Sequence, residues 1–153
     1  MKILIFGPES SGSAMLTRII GKHLGLIIGG YGSTTSPDHT LTHTSLPSSG
    51  KFPNIEQLVE DHDRVIITIR DNTISQLSKI QRFKKDPIEA EIENNFAREW
   101  IQRIITLNPD CYIWSYEAFI YLQDTYLEIL LSWLGLQPVE YEQITDENRK
   151  YIL

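Results

Sequence analysis

Residues 2–14 read KILIFGPESSGSA, a short apolar run followed at once by a loop rich in glycine and serine. The run at 3–6 predicts a buried β-strand, and it is too short for the apolar core of a signal peptide. Beyond the loop, Met15, Ile19, Ile20 and Leu24 recur at helical spacing, which predicts a helix over 13–24. The stretch therefore predicts a strand–loop–helix unit, the usual opening of an α/β domain.

The rest of the chain alternates strand and helix patterns. Apolar strands are predicted at 64–69 (RVIITI) and 111–114, and helices at 54–61, 72–83, 87–107 and 117–134. Strands separated by helices predict a central, mostly parallel sheet covered on both faces, a three-layer αβα arrangement. We expect a single domain over 1–153. Residues 29–53 do not follow this alternation of strands and helices. They are rich in Gly, Ser, Thr and Pro, which predicts a long loop with one strand-like piece near 41–44.

Composition narrows the class of ligand. The chain has 153 residues, a net charge of −6 and one cysteine, Cys111, so no internal disulfide forms. The acidic balance argues against nucleic acid and other polyanions as partners. No apolar run is long enough to cross a bilayer, so no membrane is expected and the predicted location is cytoplasmic. A small nucleotide stays compatible with this charge, because backbone N–H groups bind phosphate without side-chain cations.

The loop between the first strand and helix predicts a phosphate site. Gly7 and Gly12 lie five residues apart, as in a Walker A loop, and the following helix adds its positive dipole end. However, Ser13 stands where that loop needs lysine and Ala14 where it needs a Mg²⁺-binding hydroxyl, which argues against an ATPase or kinase. The alternative is a tight turn that binds nothing. The candidate phosphate ligands are Gly7, Pro8, Ser10, Ser11, Gly12, Ser13 and Ala14.

Other candidates are expected near this loop. Ligands of parallel α/β sheets bind at the carboxyl ends of the strands. That rule places the loop, Arg70 at the end of the second apolar strand, and Tyr116 at the end of the third on one rim. A guanidinium there offers a fork for phosphate oxygens, and Ser78 follows on the next helix with a hydroxyl.

Three stretches carry a resemblance to a known family. Residues 8–16 (PESSGSAML) look like a 5′-phosphosulfate loop, and residues 64–78 look like a 3′-phosphate segment with Arg70 and Ser78 eight residues apart. Residues 116–119 (YEAF), followed by WLGL at 133–136, look like the Tyr-Glu-Asp segment and helix end of the same family. Together the stretches resemble the nucleotide-dependent sulfotransferases over roughly residues 2–136.

The resemblance implies a P-loop-like sulfotransferase fold and a donor, 3′-phosphoadenosine-5′-phosphosulfate (PAPS), without a metal. A sulfuryl group would pass to a hydroxyl or amine of a small-molecule acceptor, leaving adenosine 3′,5′-bisphosphate (PAP). Arg70 and Ser78 would hold the 3′-phosphate, and Tyr116 would lie near the adenine. The chain departs from the family in having Glu9 where a basic loop residue is common. Its only basic pair near the end, Arg149-Lys150, is taken as the counterpart of the family's basic C-terminal cofactor loop.

Sulfuryl transfer to an alcohol needs a base for the hydroxyl proton. His43, in the segment LTHTSLP at 41–47, resembles the family's histidine before Leu-Pro, and His39 is the rival on the same loop. Lys51 is a candidate cation for the developing charge. Two alternatives stay open: a non-catalytic nucleotide-binding or protein-interaction module, and a degenerate kinase. The loop 29–53 is expected to help select the acceptor, which the sequence does not identify.

Overall fold

Five strands form one sheet in the computed structural model, which describes residues 1–138, 140 and 143–152. The strands are β1 (Lys2–Phe6), β2 (Gly32–Thr35), β3 (Thr40–His43), β4 (Arg64–Ile69) and β5 (Tyr112–Ser115), in the order β2-β3-β1-β4-β5. Neighbours from β3 to β5 run parallel, and β2 alone runs antiparallel to β3. The predicted α/β class with a mostly parallel sheet is therefore confirmed.

Helices follow most of the strands. Within the described residues they are α1 (Ser13–His23), α2 (Ile55–Glu60), α3 (Asn72–Phe83), α4 (Pro87–Leu107), α5 (Tyr116–Leu122), α6 (Asp124–Trp133) and α7 (Arg149–Ile152). In this part of the chain, none of them combines the length and the apolar character that crossing a lipid bilayer requires.

The central strand β1 sends side chains into two separate cores. Ile3 and Ile5 pack in a cluster that includes Leu16 of α1 and Leu130 of α6. Leu4 and Phe6 face the other way and pack in a second cluster, which includes Ala97, Ile101 and Ile104 of α4 and Ile55 of α2. Since alternate residues of a strand point to opposite faces, helices cover both faces of the sheet, as in a three-layer αβα arrangement.

Two local expectations are wrong. The loop at 29–53 contains the strand pair β2–β3 rather than one strand-like piece, because β2 is a largely exposed edge strand (GSTT) without an apolar pattern. The helix predicted over 117–134 is two helices, since Gln123 has a φ of 46° and interrupts the helical backbone. Apolar residues continue on both sides of Gln123, so the composition did not reveal the break.

Candidate functional site

The loop between β1 and α1 is shaped by two residues with left-handed backbones. Ser10 has a φ of 65° and Gly12 a φ of 90°. Gly12 precedes α1, and no side chain caps that helix. The first N–H groups of a helix have no partner within it, so the start of α1 presents donors suited to an anion.

Gly7 and Ser11 hold this loop against the sheet. A Cβ on Gly7 would lie 2.3 Å from both the carbonyl oxygen and the Oγ1 of Thr68 on β4. Ser11 is buried, and its hydroxyl is hydrogen-bonded to Thr68 Oγ1 at 2.6 Å. The backbone N–H of Ser11 donates to the Pro8 carbonyl at 3.1 Å. The contacts of Gly7, Pro8 and Ser11 therefore shape the loop, and none of the three borders the neighbouring cavity.

A cavity of about 480 Å³ lies beside the loop. Residues predicted to hold the nucleotide line it from several elements: Ser10, Gly12, Ser13, Ala14, Arg70, Ser78 and Tyr116. A second hollow, of about 660 Å³, lies at Glu117 and Arg149 and is lined by none of them. The predicted convergence at the carboxyl ends of the strands is thus a feature of the first cavity, whereas a role in binding stays a prediction for each residue.

One terminal nitrogen of the Arg70 guanidinium, Nη2, has no hydrogen-bond partner among the described residues. Its Nε donates to Asn148 Oδ1 at 2.8 Å, and its Nη1 donates to the Ser10 carbonyl at 3.0 Å. Nη2 is buried, and no described residue accepts a hydrogen bond from it. The guanidinium carbon lies 4.5 Å from the centre of the Tyr116 ring and 5.7 Å from that of Tyr151. Two hydrogen bonds and two aromatic rings therefore hold the group in place, and Nη2 stays a buried donor without a partner among the described residues.

The C-terminal segment covers the Arg70 and Ser78 side of the cavity. Tyr151 donates its hydroxyl to Ser78 Oγ at 3.1 Å, and the Glu147 N–H donates to the Tyr116 hydroxyl at 3.0 Å. Of the predicted basic pair, Lys150 lines the cavity and pairs with Glu147, while Arg149 lines the second hollow instead. The sequence indicated a polar tail with this basic pair, and it did not predict the contacts with Ser78 and Tyr116.

His43 ends β3 behind the phosphate loop and is almost completely buried. Its Nε2 is 3.0 Å from Ser13 Oγ, and its Nδ1 is 3.4 Å from the Gly30 carbonyl oxygen. The ring stacks on Tyr31 with 4.8 Å between centroids. Burial lowers the pKa of His43, and the nearby positive charge of Arg18 lowers it further. The imidazole is therefore neutral at neutral pH, as a general base requires.

The two other candidates from the long loop lie elsewhere. His39 lies at the amino end of β3, whereas the loop between β1 and α1 lies at the carboxyl ends of the strands. The backbone N–H of His39 donates to Ser36 Oγ. Lys51 is exposed in a turn whose backbone pairs with Ser48, and it does not line the cavity. The structure thus brings His43 to the loop, and neither His39 nor Lys51.

The Glu9 side chain belongs to a buried ion cluster. Its Oε2 lies 3.7 Å from Lys79 Nζ and 3.5 Å from Lys85 Nζ. Glu93 binds both lysines, at 2.7 Å and 2.5 Å. Burial alone would raise the pKa of Glu93, but the hydrogen bonds from Lys79 and Lys85 hold it below its usual value. Two lysines thus balance two carboxylates, and the charge of Glu9 is compensated before any anion reaches the loop.

The sequence did not predict two cations of this site: Arg18 was expected to point to solvent, and Arg82 was not singled out. Arg18 and Arg82 line the cavity together with Arg70 and Lys150, although the chain as a whole carries a net charge of −6. Arg18 lies one helical turn beyond Ala14, and Arg82 one turn beyond Ser78. The spacing of four residues from predicted contacts was therefore the signal that could have found both.

The chain matches no protein-family model, no curated protein and no solved structure. Within the described residues, no group of three His, Cys, Asp or Glu side chains is arranged to hold a metal ion. What can be inferred about function therefore comes from the chemistry of the cavity.

Proposed function

We propose that the chain binds PAPS and transfers its sulfuryl group to a small-molecule acceptor, on a P-loop-like sulfotransferase fold. The observation that carries the proposal is the meeting of Arg70, Ser78 and the uncapped start of α1 on one cavity. A nucleotide with phosphates at both its 5′ and 3′ positions has anions to match two such sites. Plain AMP would use only one of them.

Each phosphate has its own donors in this proposal. The 5′-phosphosulfate lies at the start of α1, where backbone N–H groups and the helix dipole favour anions. The 3′-phosphate accepts from the buried Nη2 of Arg70 and from Ser78, whose hydroxyl leaves Tyr151. Arg18, one turn into α1, supplies the positive charge that a basic loop residue supplies in the sulfotransferases that the sequence resembles.

The chemical step uses His43 as the base. The acceptor hydroxyl loses its proton to Nε2 as its oxygen forms a bond to sulfur, and the bond from sulfur to the bridging oxygen of the 5′-phosphate breaks. PAP leaves with the negative charge on that phosphate. Without a ligand, the Ser13 hydroxyl is hydrogen-bonded to Nε2. When the donor binds, this hydroxyl turns to the 5′-phosphate and leaves Nε2 free. No metal takes part in this proposal.

A calorimetric titration without metal tests nucleotide binding. We expect PAP to bind about 10–100-fold more tightly than AMP, because hydrogen bonds to a charged group contribute about 1.5–3 kcal/mol. Arg70→Ala should abolish this difference, whereas Arg98→Ala, at an exposed position on α4, should preserve it. Equal affinity for PAP and AMP in the wild type would refute the proposal.

Turnover separates the enzyme from a non-catalytic nucleotide-binding module. We expect the wild type to release PAP from PAPS when phenols, alcohols or amines are supplied. His43→Ala should lose this turnover but bind PAP as the wild type does. The contact between Tyr151 and Ser78, which occupies the proposed phosphate site, is the observation that favours the module. PAP binding without turnover on any acceptor would support the module instead.

A further inference from the structure

Ser13 and His43 form a hydrogen-bonded pair of a potential nucleophile and a base. The Oγ of Ser13 and the Nε2 of His43 are 3.0 Å apart, and both residues are buried. Ser13 lines the cavity, whereas His43 lies behind it and does not. A hydroxyl that faces a cavity with an imidazole at hydrogen-bond distance is the arrangement found in enzymes with a nucleophilic serine.

The surroundings of His43 determine which ring nitrogen accepts the hydrogen bond from Ser13. The Gly30 carbonyl oxygen near Nδ1 can only accept a hydrogen bond, so Nδ1 carries the proton of the neutral ring. Nε2 is then the acceptor, and the hydroxyl of Ser13 must donate to it. The stacked ring of Tyr31 holds the imidazole in this orientation. The base is thus in the tautomer that can remove the Ser13 proton.

The position of Ser13 also supplies donors for a developing oxyanion. Ser13 is the first residue of α1, and Gly12 before it provides no capping side chain. The N–H groups of the first helical turn therefore lie beside the nucleophile with no cap to satisfy them. Backbone donors of this kind stabilise the negative oxygen of a tetrahedral intermediate.

We propose that this pair gives the protein a second activity, the hydrolysis of small carboxylic esters that carry a negative charge on the acyl part. The Ser13 oxygen forms a bond to the carbonyl carbon while its proton passes to Nε2. The bond to the ester oxygen then breaks, and the alcohol leaves with that proton. Water then bonds to the acyl carbon as Nε2 of His43 takes its proton, the bond from that carbon to the Ser13 oxygen breaks, and His43 returns the proton to Ser13 as the carboxylic acid leaves. The preference for a charged acyl part follows from Arg18 and Arg82, which line the same cavity.

The direct test is covalent labelling by a fluorophosphonate, in which the Ser13 oxygen bonds to phosphorus and fluoride leaves. Peptide mapping of the wild type should find the label on Ser13. The matched control is Ser45→Ala, because Ser45 lines the same cavity but its hydroxyl donates to the Pro47 carbonyl. Ser45→Ala should label at the wild-type rate, Ser13→Ala should not label, and His43→Ala should label about 100-fold more slowly.

Substrates test the class of ester. The mono-p-nitrophenyl ester of succinic acid should be hydrolysed at least about tenfold faster than p-nitrophenyl acetate, since one favourable charge contact of about 1.4 kcal/mol corresponds to that ratio. Because Ser13→Ala could act by unfolding the chain, the site of the label in the wild type is the deciding measurement. Absence of a label, a label on another residue, or equal rates for the two esters would overturn the proposal.

Discussion

The hydroxyl of Tyr151, close to the end of the described chain, donates a hydrogen bond to Ser78 Oγ on α3 across 3.1 Å. The ring of Tyr151 also lies near the guanidinium of Arg70, which already stacks on Tyr116. The C-terminal segment therefore occupies the hydroxyl that we assign to the 3′-phosphate. Ser78 is almost completely buried where it makes this contact, so an anion that binds its hydroxyl has to move the Tyr151 side chain aside.

This competition predicts the effect of removing the Tyr151 hydroxyl. Tyr151→Phe should tighten PAP binding by about 2–10-fold, because one competing hydrogen bond contributes about 0.5–1.5 kcal/mol. The ring beside Arg70 is kept in this variant. Tyr121→Phe, at a side chain that is 88% exposed, should leave the affinity unchanged. Calorimetry measures the difference, and weaker binding by Tyr151→Phe would mean that the hydroxyl is a phosphate ligand rather than a competitor.

The ion cluster predicts a large effect from a small change at Glu9. Glu9→Gln removes one of two carboxylates that face Lys79, which is fully buried. We expect the free energy of unfolding to fall by about 1–3 kcal/mol, because a buried charge loses part of its compensation. Urea denaturation measures this loss. Glu91→Gln, an exposed position on α4, is the control and should change the value by less than about 0.5 kcal/mol.

A similar loss in Glu91→Gln would show that removing any acidic charge destabilises the fold, and that the loss in Glu9→Gln does not come from the ion cluster.

The contact of the phosphate loop with β4 predicts that Gly7 tolerates no side chain. In Gly7→Ala the new methyl group would lie 2.3 Å from the Thr68 carbonyl oxygen, which is backbone and cannot rotate away. We expect a loss of about 3 kcal/mol or more in stability, at the upper end for overpacking. Gly29→Ala is the matched control, since nothing lies within 4 Å of its added Cβ. Thermal unfolding of the two variants makes the comparison, and equal melting temperatures would contradict the tight contact.

The buried imidazole predicts a dependence of stability on pH. Burial lowers the pKa of His43 in the fold, while the unfolded chain titrates near 6.5. Between these two values the unfolded state binds more protons, so stability is full above about pH 6.5 and is lost as the pH falls toward the folded pKa. His43→Gln should lose less stability than the wild type between about pH 7.5 and about pH 5.5. Urea denaturation at both pH values tests this.

His23, whose pKa burial also lowers, is present in both proteins and cancels in the comparison. Identical pH dependence in the two proteins would show that the pKa of His43 is the same in the folded and the unfolded chain.

The parts of the fold that sequence reasoning predicted correctly have local signals. The apolar run of β1, the glycines of the loop and the spacing of α1 lie within about twenty residues of one another. The polar strand β2 and the break at Gln123 have no such signal. Pairing with β3 stabilises β2, and the apolar residues around Gln123 suit one helix as well as two.

The sequence by itself determined the α/β class, the loop between β1 and α1, and the rim where Arg70, Ser78 and Tyr116 were expected. The spacing of apolar residues, the composition and the alternation of strands and helices can all be read locally along the chain, and they are sufficient for these predictions. Only the tertiary structure decided that lysines of α3 and the following turn compensate Glu9, that His43 rather than His39 reaches Ser13, and that Tyr151 covers Ser78. These contacts join residues from 30 to 76 positions apart, and partners so distant are chosen by the packing of whole elements rather than by any local pattern.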